Sequence, residues 1–514
     1  MSKSNRNFIL KIFKKDVQDK FERKIKNEGI NISRREFVRN TAMASLAVGA
    51  TVSFLESCGI GQEDLSKPRV AIIGGGIAGL HAAHILNKSK IKFDLFEASK
   101  RIGGRIYTVT DQLGDGLITE IGGEFIDSNH VDMINLVKEY GLELYDIEDD
   151  IKRSKLVQDT YFFSGKHYSE KELITEFSKY SESIAEDIIK VVDQEDDSII
   201  NSLDSISITE YLSKKGLSGW IFDLLVNAFT SEYGLDSNEQ SSLNLIYMLN
   251  PETENGFKIF GESDERYKIK GGNSRLTEKM YEKLKHSIKL EYKLNSVSEN
   301  NGKYTLAFEN GETNEYEFVL LAIPFSVLRN ITLNVSLPEN KIKAIKELGY
   351  GSSSKIIFGV NERSWREKGL SGYLFSNQIQ NGWDSTIGQS NNEGAGSYTV
   401  FLGGREGKEA SLEKLPKYTQ VFNQIFNTNN EVINDKSAVY NWLSSPHSLG
   451  GYSVYKIGQW SSIAGYEKEP VNNLFFAGEH CSEEFQGYMN GGAETGRLAA
   501  ENIIQKLKLL KTQH

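Results

Sequence analysis

The sequence predicts an α/β fold, and three observations carry that prediction. The first is a short, wholly apolar run, Val70-Ala-Ile-Ile73, of the kind that forms a parallel strand buried on both faces. The second adjoins it without a break: Gly74-Gly75-Gly76-Ile77-Ala78-Gly79, then a helical stretch to Leu86. The third is another apolar run, Phe93 to Phe96, that ends on the acid Glu97. The size agrees: 514 residues, 39% apolar, can bury a large core and make more than one domain. With 46 glycines against 7 prolines, tight turns are expected rather than proline-rich linkers.

Each element of this opening has a physical reason. The glycines read G-x-G-x-x-G between strand and helix. Gly74 permits the tight turn, Gly76 lets backbone approach a pyrophosphate, and Gly79 lets helix and strand pack closely. Ile77 and Ala78 would present the first amides of a helix, whose positive end favours an anion. Glu97, with Ala98 after it, lies 23 positions beyond Gly74, a spacing that suits an acceptor for ribose hydroxyls. Strand, loop, helix, second strand and terminal acid in this order predict an adenine-dinucleotide site, and the loop alone leaves FAD and NAD open.

The next residues bear on that choice. Arg101-Ile102-Gly103-Gly104-Arg105 resembles the R-x-G-G-R of glutathione-reductase-like flavoproteins of the amine oxidase group, in which the last arginine lies near the pyrophosphate. Gly122-Gly123-Glu124-Phe125-Ile126 resembles the segment that passes the flavin ring, and Lys270-Gly271-Gly272-Asn273 the glycine pair before a return strand. Val297 stands where that family's backbone meets the adenine. Most specific is the carboxy-terminal block, Asn473-Leu-Phe-Phe-Ala-Gly478-Glu479-His480 and then Gly487-Tyr488-Met489-Asn490-Gly491-Gly492-Ala493-Glu494-Thr495-Gly496. The chain thus resembles, in pieces from about Lys67 to Gln505, the flavin-dependent amine oxidase family of monoamine, polyamine and L-amino-acid oxidases. The resemblance implies FAD and a glutathione-reductase-like Rossmann domain interleaved with a mixed α+β substrate domain. It places Gly478 and Glu479 in the ribityl and pyrophosphate region, and starts a helix after Met489 whose positive end faces the flavin pyrimidine.

The implied chemistry asks for little from side chains. An amine is oxidised as the neutral base, so an aromatic, desolvated site is expected. Gly450-Gly451-Tyr452-Ser453 resembles the block that supplies one wall of the family's aromatic cage, and Tyr488 matches the other. Facing rings attract a cationic amine on entry, although each of the 23 tyrosines read alone is as easily a packing residue. Leu348 to Phe358, followed by Trp365, resembles the strand that brings a lysine beside flavin N5, and Lys355 interrupts it. A buried lysine needs a partner, and a bridging water to N5 is the implied role; an edge-strand lysine facing solvent is the alternative. Trp442, after Asn441, aligns near the flavin or the cage.

Two departures from the family set further expectations. Gly451 stands where monoamine oxidases carry the cysteine that attaches the flavin, so FAD is expected to be non-covalent. Phe125 stands where L-amino-acid oxidases commonly place an arginine for the substrate carboxylate, which favours an amine, unless an arginine enters from another segment. His81 and His84 share a helix face and are expected at the surface. Cys58 and Cys481 are too few for a disulfide framework or a thiolate zinc site, so no metal is expected.

The chain before the glycine loop reads differently. Ser33-Arg34-Arg35-Glu36-Phe37 precedes an uncharged run from Thr41 to Leu55, too short to span a bilayer and resembling a twin-arginine export signal. Leu55-Glu56-Ser57-Cys58 resembles a lipoprotein processing site despite Glu56, so a lipid anchor at Cys58 and ordinary cleavage nearby are both open; a periplasmic or membrane-anchored protein is expected. Residues 1–57 carry 12 Lys/Arg against 6 Asp/Glu, which leaves 48 against 64 in the rest, a surface that repels nucleic acid.

The expected organisation is a leader and signal over 1–58, an FAD domain from 67–126, 267–330 and 438–507, and a substrate domain from 127–266 and 331–437. Segment 127–266 is charged and helix-like, as in Asp132 to Tyr140. Glu299 to Leu321 alternates, with turns at Asn300-Asn301-Gly302 and Asn310-Gly311. The expected reaction is FAD-dependent oxidation of a primary or secondary amine to an imine, with O2 or a redox protein as acceptor. An L-amino-acid oxidase, a flavin-dependent desaturase and a non-catalytic flavin-binding protein are the alternatives.

Overall fold

A computed structural model describes residues 69–512, apart from 255, 390–393 and 430–431. The twin-arginine motif at Arg34-Arg35 and the processing site at Cys58 lie outside the described residues. The apolar run Val70–Ile73 is the middle strand of a five-stranded parallel sheet, between Phe318–Leu321 on one side and Phe93–Phe96 on the other. Leu474–Phe476 and Ile288–Lys289 complete the two edges. Alternation along the middle strand divides its side chains between two cores. Val70 and Ile72 pack with Leu80, Ala83, Leu86, Ala493 and Ile503, whereas Ala71 and Ile73 pack with Phe96, Val319, Leu306 and Phe476.

Each core has its own cover. On one face the helix Ile77–Lys88 lies against Met489–Thr512. Small residues set their approach, since a Cβ on Gly496 would stand 2.1 Å from the Ala78 carbonyl oxygen. On the other face lies a four-stranded sheet, Thr313–Tyr316, Lys303–Phe308, Leu294–Asn300 and Thr332–Asn334. Its hairpin turns where expected: Asn301 and Gly302 both have positive φ and Asn300 pairs with Lys303.

The second large sheet has seven strands, in the order Val432–Asn441, Ser354–Val360, Gly396–Leu402, Gln380–Asp384, Leu370–Ser376, Val157–Phe163 and Lys166–Tyr168. It is antiparallel except where Leu370–Ser376 meets Val157–Phe163. Its first strand runs across residue 437, and its last two come from the segment that reads as helical. The helices Glu170–Ile188, Gly219–Tyr233 and Ser242–Met248 bury Phe177, Leu224, Phe229 and Ile246 in a core shared with Tyr161, Phe163 and Phe375 of that sheet.

One expectation of placement is corrected. His81 and His84 are buried, not at the surface. His81 donates from Nδ1 to the Ala493 carbonyl oxygen at 2.8 Å, and His84 Nδ1 stands 2.8 Å from the Tyr140 hydroxyl. The carboxy-terminal helix covers His81, and Tyr140 with Glu139 meets His84, tertiary contacts that helical spacing does not show. Burial pushes the His81 imidazole down to about 4.

Candidate active site

The four long strands of the parallel sheet end at one place. Gly74 follows Ile73, Glu97 follows Phe96, Ala322 follows Leu321 and Gly478 lies just past Phe476, and all four line a single cavity. Carboxyl ends of parallel strands are where such sheets hold ligands. Gly74 has φ +109°, and a Cβ there would stand 2.5 Å from the Ala322 carbonyl oxygen. Gly79 lies beneath the wall: its Cβ would stand 1.9 Å from the Gly74 carbonyl oxygen, the close helix–strand packing expected of it. The helix at Ile77 begins at Gly76 with no side-chain cap and no acid in its first turn, so its first amides are open to an anion.

Glu97 and Arg105 order the rest of this end. One Glu97 oxygen accepts from the Gly75 amide at 2.7 Å and the other from Ser99 N–H at 2.8 Å. Arg105 Nη1 donates to Glu479 at 3.0 Å and to the Gly451 carbonyl oxygen. Glu479 also accepts from the Ser453 hydroxyl at 2.7 Å and the Gly487 amide at 3.0 Å. Burial alone would raise its carboxyl, but Arg105, with these hydrogen bonds, holds it below the usual carboxylate range. Gly104, Trp442 and Met489 line the same cavity, and the Trp442 indole donates to the Ile121 carbonyl oxygen at 3.1 Å. Open helix amides, a glycine floor that a Cβ would fill and an acid at the second strand's end fit a dinucleotide. Val297 is buried in mid-strand, paired with Leu306 and Leu333, and Ala98 is half-buried; neither is on the cavity wall.

Between the two ends runs the segment Gly122, Gly123, Glu124 and Phe125, and against it lies Lys355. Its strand is interior to the seven-stranded sheet, so Lys355 does not face solvent. Its ammonium donates to the carbonyl oxygens of Glu120 (2.9 Å) and Gly122 (3.0 Å) and to Glu124 Oε2 (2.8 Å). Glu124 Oε1 accepts from Lys268 at 2.8 Å, whose ammonium also reaches the Ser385 carbonyl oxygen. Burial would raise the Glu124 carboxyl, but Lys268 and Lys355 together hold it below the ordinary range.

The far end of the cavity is walled by Tyr452 and Tyr488 with Phe125, Trp383 and Phe401. The Tyr452 hydroxyl donates to the Ser231 carbonyl oxygen at 3.3 Å and that of Tyr488 to Glu232 at 3.1 Å. Burial and then the charge of Glu232 raise both phenols well above their usual range, so both stay neutral. Asp127 and Glu265 stand on the wall with Glu232. Burial pushes Glu232 up to about 7 and Asp127 up to about 6, and raises Glu265 further with help from both neighbours.

The comparisons with known proteins agree with this geometry. The profile of the flavin containing amine oxidoreductase family matches residues 77–504. The chain belongs to that family. A flavin-containing amine oxidase B from Sus scrofa is 25% identical over 86% of this chain and 87% of its own. An L-amino-acid oxidase from Pseudechis australis is 23% identical over 88% and 89%. Cyclohexylamine oxidase from Brevibacterium oxydans IH-35A shares the fold, with a TM-score of 0.74 at 21% identity over 86% of this chain and 99% of its own. The protein is therefore an FAD-dependent amine oxidoreductase of mixed α/β architecture.

Sequence reading missed Asp127, Glu232, Glu265, Trp383 and Lys268. Asp127 directly follows the Gly122 to Ile126 block and could have been drawn from it. The others sit in no motif, and only the folded chain brings them to the wall or to Glu124.

Proposed function

We propose that the protein oxidises a primary or secondary amine without an α-carboxylate, using non-covalent FAD and dioxygen as acceptor. One observation carries this reading: the acidic side chains around the tyrosines are Asp127, Glu232 and Glu265, carboxyls that burial raises and that an incoming ammonium would help to ionise. The arginines on the described wall are Arg101 and Arg105, and both are engaged, Arg101 by the Gly104 carbonyl oxygen and Arg105 by Glu479 and the Gly451 carbonyl oxygen. A substrate carboxylate would meet like charge there.

Each group then has a task. The carboxylates draw the ammonium in, the rings of Tyr452 and Tyr488 receive it, and exclusion of water favours its neutral form. Bound FAD supplies the two-electron chemistry, taking a hydride equivalent from the α-carbon and returning electrons to dioxygen as hydrogen peroxide, while the imine hydrolyses. Gly74, Gly76, Ile77 and Ala78 would hold its pyrophosphate, Glu97 its ribose, and Gly478, Glu479 and Arg105 the middle. Lys355 fixes Glu124 and the Gly122 carbonyl beside the flavin-passing segment.

Non-covalent attachment follows from Gly451 before Tyr452 and from Cys481, which is not on the wall and whose thiol donates to the Glu467 carbonyl oxygen at 3.4 Å. Denaturing the holoenzyme should release all flavin to the supernatant; flavin retained on the chain would contradict it. The amine assignment is tested by comparing each amine with its α-carboxylated counterpart, and faster bleaching by the amino acid would replace it with L-amino-acid oxidation. We further propose that Arg34-Arg35 directs export of the protein, with Cys58 as its lipid anchor.

A further inference from the structure

Lys268 lies on the strand Tyr267–Ile269, 7% exposed and off the cavity wall. A lysine enclosed in this way costs stability unless its charge is answered. Its ammonium donates to Glu124 Oε1 at 2.8 Å and to the Ser385 carbonyl oxygen at 3.0 Å. Lys355, which is on the wall, already supplies Glu124 with a cation, at 2.8 Å from Oε2. One carboxylate thus takes two ammonium groups, all three side chains being largely buried where salt screens little. Glu120 also faces this row. Its carboxyl accepts from the Asn273 backbone amide at 2.7 Å and the Thr108 hydroxyl at 2.8 Å, and burial raises it toward the neutral form. A single lysine would balance Glu124, so the second adds positive charge behind the segment Gly122 to Phe125.

The charge balance of the reaction gives that second lysine a purpose. A hydride equivalent brings two electrons and one proton, so a flavin that takes it gains one negative charge. We propose that Lys268 acts through Glu124 as a positioning residue for flavin reduction: by answering the carboxylate from behind, it leaves the Lys355 ammonium uncancelled toward the cavity, where it favours the anionic reduced flavin. Without Lys268, Glu124 and Lys355 would form an ordinary neutral pair. The inference rests on FAD lying along Gly122 to Phe125, as proposed above, and not on which amine is oxidised.

The test is the midpoint potential of the holoenzyme flavin, measured anaerobically against reference dyes with no amine present, alongside FAD content and melting temperature. K268M should lower the potential by about 30 mV, a tenfold loss in the two-electron equilibrium. K268R keeps the charge and should stay near the wild-type value, and E124Q should raise the potential. K268M and E124Q break the same hydrogen bond and should both lower the melting temperature, but they change the buried charge in opposite directions. A merely structural role would not split their potentials. An unchanged or raised potential in K268M with its FAD retained would overturn the inference, and so would a lowered potential in E124Q. The wild-type protein decides the matter if no variant folds: between about pH 6 and pH 7 its potential should follow one proton per two electrons, whereas two protons would mean a neutral reduced flavin and overturn the inference. A purified protein that takes up no FAD would defeat the flavin placement itself, and this inference with it.

Discussion

Glu124 is the residue on which the buried charges of this site balance. It takes one ammonium on each oxygen, Lys268 at 2.8 Å and Lys355 at 2.8 Å, with all three side chains largely buried. Removing one member of such an arrangement leaves an uncompensated buried charge, so Glu124→Gln should cost about 3–5 kcal/mol in denaturant unfolding of the holoenzyme. Because its folded carboxyl lies below the ordinary range, the stability it contributes is present above that range and is lost as pH falls through the lowered value. Lys355→Met should slow flavin reduction or reoxidation about tenfold or more, the scale of one lost charged hydrogen bond, with FAD retained. Unchanged rates in both half-reactions would remove Lys355 from the mechanism. Lys355 and both tyrosines were legible because each sits in a block of fixed neighbours. Glu124 was legible through its place in such a block, but its lysine partners could not be read, since Lys268 is 144 positions away and meets it only through folding.

At the scale of elements, the parallel sheet and its glycine loop were the most legible part, because apolar strand, glycine turn and helix are consecutive in the chain. Gly79→Ala tests that turn. Its Cβ would stand 1.9 Å from the Gly74 carbonyl oxygen, so the loop must shift, and the expected outcome is loss of FAD from the purified protein together with a lowered melting temperature. Contacts between distant elements were not legible, and the helix Ile77–Lys88 shows why. Its face bearing His81 looks polar in sequence, yet the carboxy-terminal helix covers it and the Ala493 carbonyl accepts the imidazole proton. A histidine pushed down from 6.5 to about 4 contributes stability that is present above pH 6.5 and is lost as pH falls toward 4, up to about 3 kcal/mol. Urea unfolding between pH 4 and pH 7 should include that contribution, and His81→Asn should make the slope shallower by it. The strand Val157–Phe163, with Lys166–Tyr168 hairpinned onto it, was hidden for a related reason: its partner Leu370–Ser376 lies about two hundred positions away in the chain, while charged helices surround the hairpin in sequence.

Over the whole molecule, two charge distributions carry the functional account. The first separates the basic stretch 1–57 from the acidic remainder, a distribution that goes with the proposed export signal. Replacing Arg34-Arg35 with two lysines should keep the holoprotein in the cytoplasm, measured by cell fractionation, and unaltered export would remove the twin-arginine assignment. The second lies inside the cavity, where Arg101 is held by the Gly104 carbonyl oxygen and Arg105 by Glu479, whereas Asp127, Glu232 and Glu265 gather by the tyrosines. That polarity is the central claim, since it makes one end fit for an anionic dinucleotide and the other for a cationic substrate. It is tested most directly by anaerobic stopped-flow absorbance of the holoenzyme against pairs of amines and their α-carboxylated counterparts, followed by mixing with oxygen. The account predicts that the amine bleaches the flavin and its carboxylated partner does so far more slowly, with recovery in oxygen. Preferential bleaching by the carboxylated partner would contradict it.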